Sequence, residues 1–449
     1  MSGQLQGLSL PAWSRAGSGR ISLPFDFSPE KLVYGGEALG YYQGRPVLVP
    51  RALPGERLEV EPVRVAKGVV HARPLRILEP APQRVVPPCP YFGRCGGCQL
   101  QHLSSAHQAS WKKEILRETL RRIGKIPWEG EVELHAGPPW NYRNQARLKV
   151  ARQADGRVVV GFFEADSHRL CPVDACLILS PRLNAIIKDL RREEWSVPLS
   201  GCLEIELLAN DGDERVMLTM RGKMEGQNGE TLARMCLARL PGVSSVAIER
   251  GQAHQVFGEP ALIYQVGEFR YRISPGSFFQ ASRFLLPEFV ARVTERQSGD
   301  MALDLFAGVG LFTLPLGQRF TQVIAVEGNS KSASDLTASA QAHALENIRI
   351  AREPVFDFLR RLAQTDAGLA VLDPPRAGVD VGTLKILIRL RPRRIHYVSC
   401  SPPTLARDLR YLTERGYRLD SIELFDFFPQ TYHIECLARL SRSDLPNSS

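Results

Sequence analysis

From about Tyr271 onward, short apolar runs alternate with segments whose hydrophobic residues recur at helical spacing. The runs Ala302–Phe306, Val323–Val326, Leu369–Leu372, Ile395–Ser399 and His433–Leu440 have strand length, and helical patterns lie between most of them. That rhythm predicts a doubly wound, mainly parallel Rossmann-like sheet. Residues 21–82 read differently. Val47–Val49, Leu58–Val63 and Gly68–Leu78 are β-rich runs separated by Tyr34-Gly35-Gly36 and Leu53-Pro54-Gly55-Glu56, which predicts a small OB-like β-barrel. A Pro-rich linker follows it. Residues 130–265 mix strands and helices, with a Gly-rich break near Glu225–Glu230. Trp111, Ile115, Leu116, Leu120 and Ile123 predict a helix over Ser104–Ile123, with Ser105 as its cap. The expectation is a multidomain α/β chain: a flexible tail over 1–20, a barrel over 21–82, an α/β central domain over 83–270 and the sheet domain over 271–449.

Composition narrows the class. Hydrophobic residues make up 44% and charged residues 23% of the 449 positions, as in soluble globular chains. No apolar run approaches the ~18 residues of a spanning helix. The first twenty residues lack a basic flank followed by an apolar core, so no secretory signal is read and a cytoplasmic location is expected. Charge is placed unevenly. Residues 1–150 hold 21 Lys+Arg against 12 Asp+Glu, whereas residues 151–449 hold 36 of each. All the excess positive charge lies in the first third, which points to a polyanion partner, most simply nucleic acid.

Candidate chemistry sits at the predicted strand ends. Ala307-Gly308-Val309-Gly310-Leu311 follows the first strand as a tight turn into a helix, and glycines there let backbone approach a ligand. The second strand ends at Glu327, where a carboxylate can bind ribose hydroxyls. The third glycine of the dinucleotide fingerprint is missing, so Asp304, the turn and Glu327 favour S-adenosylmethionine over NAD. Asp373-Pro374-Pro375-Arg376 and Ser399-Cys400-Ser401-Pro402 each follow a strand, and Thr431-Tyr432-His433-Ile434-Glu435 opens the last one. If that strand is antiparallel, Asp373, Cys400 and Glu435 converge on one pocket. Such a set suits methylation of carbon 5 of uracil. A thiolate adds to carbon 6 and makes carbon 5 nucleophilic, a carboxylate later removes the carbon-5 proton, and Asp373 can read the N3–H.

These residues resemble the bacterial RNA uridine-C5 methyltransferase family, which includes tRNA and 23S rRNA enzymes. The likeness runs from about Leu32 to Leu440. It includes Cys89-x5-Cys95-Gly-Gly-Cys98, Asn141-Tyr142-Arg143-Asn144-Gln145, Ser274-Pro275-Gly276-Ser277-Phe278-Phe279-Gln280, Asp304-Leu305-Phe306 and the three strand-end motifs. The resemblance implies that the barrel is an RNA-binding TRAM domain. It implies that Gln280, Phe306, Glu327 and Asp373 contact cofactor or target base, that Cys400 is the nucleophile and that Glu435 is the proton acceptor. Departures are Ala307 for a common Cys, Ser401-Pro402-Pro403 for Asn-Pro-Ala, Gln430 for a common His, and Pro354 for a polar residue near adenine. No catalytic group is lost.

Cys202 and Cys236 lie in apolar stretches and read as core residues. Cys89, Cys95 and Cys98 offer three thiolates in a glycine-rich loop, and a fourth must come from elsewhere. Spacing alone does not choose between zinc and iron–sulfur, and Cys171 and Cys176 compete for the fourth place. The resemblance implies a [4Fe-4S] cluster, and its register against Leu179-Ser180-Pro181-Arg182-Leu183 selects Cys176. The expected function is therefore 5-methyluridine formation in RNA by a monomer using S-adenosylmethionine, with no membrane partner. The barrel and cluster favour 23S rRNA. A tRNA T-loop enzyme is the alternative, and a non-catalytic RNA-binding protein is the rival from another class.

Overall fold

The computed structural model describes residues 23–223, 226–251, 253–294, 297–363 and 366–444. The tail expected over 1–20 and part of the Gly-rich break lie outside them. The chain divides into two compact units, the described residues of 1–31 with 37–81, and residues 32–36 with 82–449.

The first unit is β-rich, built on a six-stranded sheet in the order Phe25–Phe27, Arg57–Ala66, Val69–Glu79, Arg45–Pro50, Glu37–Tyr42, Lys31–Leu32. Alternation explains its inner face. Leu58 and Val60 are buried while Arg57 is exposed, as a period of two requires. Phe27, Val47, Val49 and Val70 complete the core.

The second unit carries the chemistry on an eight-stranded sheet. Its order is Ile348–Ala351, Phe320–Val326, Gly299–Leu305, Leu369–Leu372, Arg394–Ser399, Glu435–Arg442, Tyr417–Asp426 and Val132–Ala136. The first five strands are parallel, and Leu369–Leu372 is wholly buried, as expected of a strand inside a parallel sheet. Glu435–Arg442 runs antiparallel to both its neighbours, so the condition for convergence is met. Helices punctuate the strands with readable caps: Asn329 accepts from Lys331 and Ser332 N–H, and Asp380 accepts from Thr383 N–H. A separate seven-stranded sheet runs from Gln145 to Gly258, with Cys202 and Cys236 buried in its core beside Trp195 and Ile186.

Several boundaries differ from expectation. Val132–Ala136 lies within the segment assigned to the central domain, yet pairs in parallel with Tyr417–Asp426 as the outermost strand of the large sheet. The helix begins at Ser105, with Ser104 at the cap position, and after Thr119 it widens into a π-helical turn, Leu120–Gly124. That change of pitch turns Ile123 outward, where it is exposed. The buried face of the helix also includes Gln108 and Lys112, which apolar spacing does not reveal. The last strand starts at Glu435, not His433. Gln430, at φ 69°, and the bond from Thr431 Oγ1 to the Phe428 carbonyl make a turn that keeps His433 off the strand.

Candidate active site

The turn after Gly299–Leu305 is tightly made. Phe306 adopts φ 67°, uncommon for a residue with a side chain, and so stores local strain. Ala307 N–H donates to the Val326 carbonyl, and Gly308 N–H donates to Glu327 Oε2 at 2.8 Å. Gly310, at φ 94°, has no room for a side chain, since a Cβ there would meet Leu336 Cδ1 at 2.3 Å. Asp304 lies fully buried beneath the turn, with Oδ2 accepting from Thr313 and Oδ1 without a partner. Burial, with Glu327 adding, pushes its carboxyl up to about 7. An orphaned carboxylate oxygen under a glycine cradle suits a ligand with amine and hydroxyl donors, so these residues fit the S-adenosylmethionine assigned to them.

Register brings two of the candidate residues together. Ser399 pairs with Cys436 at the end of the antiparallel ladder, so Cys400 and Glu435, the next residues outward, lie on neighbouring chain segments at the sheet edge. Parallel pairing of Leu372 with Tyr397 puts Asp373 at the same edge, its N–H donating to the Leu305 carbonyl. Electrostatics agree with this closeness. Burial, then Glu435 and Asp373, push the Cys400 thiol up to about 11, while Arg376 opposes them. Glu435 is 3% exposed, and burial with Asp373 holds its carboxyl well above the usual range. Asp373 is pushed up to about 7 by burial and by Asp304. His433 is pushed down to about 4 by burial, then by Arg376, whose guanidinium lies 3.4 Å from Nδ1. A neutral imidazole of such low basicity is a poor proton acceptor at neutral pH.

The sequence profile described as tRNA (Uracil-5-)-methyltransferase matches residues 105–443. The chain belongs to this family. Its members are S-adenosylmethionine-dependent RNA uracil-C5 methyltransferases, and so is this chain. A Pectobacterium atrosepticum protein named 23S rRNA (uracil(1939)-C(5))-methyltransferase RlmD is 34% identical over 412 residues, covering 90% of each chain. An Aquifex aeolicus protein named as an uncharacterized RNA methyltransferase is 33% identical over 432 residues, 94% of this chain and 99% of that one. The crystal structure of Pyrococcus abyssi tRNA (uracil-54, C5)-methyltransferase with S-adenosyl-L-homocysteine superposes with a TM-score of 0.70 at 24% identity. It covers 93% of this chain and 100% of that one, a likeness of fold.

In this uracil-C5 methyltransferase several supporting residues escape sequence reading, because each acts through a fold contact. Asp335 is 1% exposed and accepts from Ser274 N–H and Oγ, Ser277 Oγ and Arg272 Nε, fixing the loop that leads to Gln280, itself buried. Asp408, also 1% exposed, accepts from Tyr397 OH and Val379 N–H, bracing the segment after Asp373 against the helix that follows Cys400. Tyr34 donates to the Cys400 carbonyl at 3.4 Å and meets Tyr432 edge to face at 5.5 Å. Its neighbour Gly36 has no spare space, since a Cβ would lie 2.9 Å from Gln99 Cβ. Tyr34-Gly35-Gly36 reads in sequence only as a turn.

Cys89, Cys95, Cys98 and Cys176 line one cavity of about 190 Å³ together with Arg143 and Arg147; Cys171 is buried in its strand and is not among the lining residues. Burial pushes Cys95 up to about 11 and Cys98 up to about 12, and raises Cys176, with the neighbouring thiols adding in each case. Four sulfur donors on the wall of one cavity fit a thiolate-bound metal centre by donor type. A second grouping, Glu133, His135 and Glu423, does not. Glu423 already accepts from Arg292 and Arg439 and holds His135 Nε2 at 3.0 Å, leaving its carboxylate engaged.

Proposed function

We propose that this enzyme forms 5-methyluridine in 23S rRNA, with Cys400 as covalent nucleophile and Glu435 as acceptor of the carbon-5 proton. The observation that carries this reading is the end of the antiparallel ladder at Ser399 and Cys436, which leaves Cys400 and Glu435 on neighbouring chain segments at the edge where Asp373 directly follows its strand. Bound S-adenosylmethionine supplies an electrophilic methyl group. Gln280, Phe306, Glu327 and Asp373 are the residues assigned to cofactor and base, with Asp373 accepting from the uracil N3–H. Cys400, its proton released to solvent, bonds as thiolate to carbon 6, and the electron pair of the C5–C6 double bond moves to carbon 5. Carbon 5 takes the methyl group with release of S-adenosylhomocysteine, Glu435 in its ionised form then removes the carbon-5 proton, and the returning electron pair expels the thiolate. Arg376 is a nearby charge that favours the thiolate against burial and two acids. Because the target carbon lies in the face of a base, the uridine must be unpaired or flipped.

Four thiols around one cavity support assigning Cys89, Cys95, Cys98 and Cys176 to a [4Fe-4S] cluster with a structural role. The ribosomal substrate is supported by relatives carrying that name across nine-tenths of both chains. The β-rich unit is assigned to RNA backbone contact.

Two variants test the mechanism. With labelled cofactor, Glu435→Gln should transfer methyl once and remain bonded to RNA, giving a slow, RNase-sensitive band on a denaturing gel. Cys400→Ala should give neither band nor product; normal turnover by it would overturn the mechanism. Run on 23S rRNA and on tRNA, the same assay separates the substrates, and product in the T-loop alone would reassign it. Protein prepared anaerobically should be brown, with broad absorbance near 400 nm and about four irons per chain. Stoichiometric zinc without iron would refute the cluster.

A further inference from the structure

Between the cysteine-bearing loop and the loop entering the last strand lies a buried amide pair that the chemistry above leaves unused. Gln430 is 2% exposed, and Gln108, on the helix Ser105–Thr119, is 1% exposed. The two residues bond reciprocally. Gln430 N–H donates to Gln108 Oε1 at 2.7 Å, and Gln108 Nε2 donates to Gln430 Oε1 at 2.9 Å. The Gln430 carbonyl accepts from Gln99 N–H at 3.0 Å and from Leu100 N–H at 2.9 Å, the two residues directly after Cys98. Gln108 Nε2 also lies 3.0 Å from the Leu100 carbonyl and 2.7 Å from that of Leu103.

The same loop is pinned elsewhere by groups just as deeply buried. Lys112 Nζ donates to Asp426 Oδ1 at 2.7 Å and to the Phe428 carbonyl at 2.9 Å, and Tyr142 OH donates to the Pro429 carbonyl at 2.8 Å. Those bonds fix the start of the loop. Gln430 fixes its far end, five residues before Glu435 in sequence, and ties it to the residues after Cys98. A non-glycine residue held at φ 69° persists only where its surroundings over-determine it; here four hydrogen bonds do so.

We propose that Gln430 is a positioning residue for methyl transfer: it fastens the loop leading into Glu435 onto the cysteine-bearing loop, with Gln108 orienting it. Order in the cysteine loop then sets the placement of Glu435 against Cys400. The proposal rests on the reading of Cys400 and Glu435 as the reacting pair. It predicts a defect in the chemical step and not in ligand capture, because neither glutamine lies where cofactor or RNA is assigned.

The test uses the full chain carrying Gln430→Gly, Gln108→Ala or Gln108→Glu, and the double variant Gln430→Gly with Gln108→Ala. Glycine keeps the left-handed backbone and the carbonyl while deleting the side chain. Single-turnover methyl transfer at saturating RNA and cofactor should fall about tenfold or more in Gln430→Gly and Gln108→Ala, the scale expected when a reacting group is misplaced by a fraction of an ångström. KM values should stay within about twofold. Gln108→Glu keeps the acceptor for Gln430 N–H but sets its second oxygen against Gln430 Oε1 and the Leu100 and Leu103 carbonyls, so it should be no faster than Gln108→Ala. The double variant should be no slower than the worse single one, since both break one linkage. Amide exchange supplies a readout independent of activity. Gln430→Gly should speed exchange at Gln99 and Leu100, and Cys98→Ser should speed exchange across 427–434, with the core strand Leu369–Leu372 unchanged in both. Unchanged exchange at Gln99 and Leu100, or a raised KM with an unchanged chemical rate, would overturn the proposal. A wild-type enzyme that never bonds RNA through Cys400 would instead sink the reaction reading, and the exchange data would still decide the coupling.

Discussion

At the scale of single residues, the site is organised by acids that resist ionising. Burial raises Asp304, Asp373, Glu435 and Cys400 first; Asp304 then adds to Asp373, Asp373 to Glu435, and Glu435 to Cys400. With its thiol at about 11, Cys400 in the RNA-free protein is roughly one-thousandth thiolate at pH 8. As the proposed nucleophile, Cys400 then needs substrate to change its surroundings before it attacks. Burying acids in this way weighs on stability. Asp304 ionises at about 7 in the fold against 3.8 for the ordinary group. Between those values the unfolded chain releases the proton while the fold keeps it, so stability falls as pH rises, by about 4 kcal/mol in total at ~1.4 kcal/mol per unit. His396, pushed down to about 4 by burial, acts oppositely: the stability tied to its neutral form is present above 6.5 and lost as pH falls toward 4. Comparing Asp304→Asn with wild type cancels the histidine. The cofactor-free variant should be more stable at pH 8 by about 2 kcal/mol, after allowing for a poorer Thr313 bond. It should show little advantage at pH 4. Denaturant melts at the two pH values check this, and equal stability at pH 8 would mean that Asp304 is not strained by burial.

Among elements, legibility follows the reach of each signal. Strands flanked by chemistry are readable because apolar runs end where polar motifs begin. Leu369–Leu372 matches its expected span, and Arg394–Ser399 begins one residue earlier than expected. Sequence supplies the antiparallel last strand only as a condition. Its start lies two residues beyond the expected one, because the turn set by Gln430 involves partners more than three hundred positions away. That turn removes His433 from the strand face shared with Glu435 and so weakens it as an alternative base. Val132–Ala136 is unreadable as part of the large sheet, since five residues carry no mark of their distant partner. Asp335 escapes for the same reason: on a helix surface an aspartate looks solvated, and only the fold packs it under the loop Ser274–Ser277. Four donors converge on it, so its removal should leave several buried groups unsatisfied. Asp335→Ala should raise the KM for S-adenosylmethionine by about tenfold or more through displaced Gln280, while the rate at saturating cofactor falls less. An unchanged KM would remove Gln280 from the cofactor site.

For the whole molecule, charge and active-site geometry make separable predictions about the N-terminal segment. Residues 1–82 carry 10 Lys+Arg and 7 Asp+Glu, a modest excess, so their removal should weaken RNA binding only in part. If that segment touches phosphates, the dependence of log affinity on log salt should become shallower by about 0.7 for each single-strand phosphate it no longer neutralises. The segment also contains Tyr34, which the fold groups with the catalytic unit and whose hydroxyl meets the Cys400 carbonyl. Deleting residues 1–82 should therefore slow methyl transfer even at saturating RNA, an effect charge alone does not predict. Tyr34→Phe separates the two contributions, because it removes one hydroxyl and no charge. The point variant should keep the wild-type salt slope and slow the saturated rate by a few-fold, the scale of one weak hydrogen bond worth about 0.5–1 kcal/mol. The deletion should show both changes. A deletion with the full saturated rate would remove Tyr34 from the catalytic site, and a deletion with an unchanged salt slope would mean that the β-rich unit does not touch the RNA backbone.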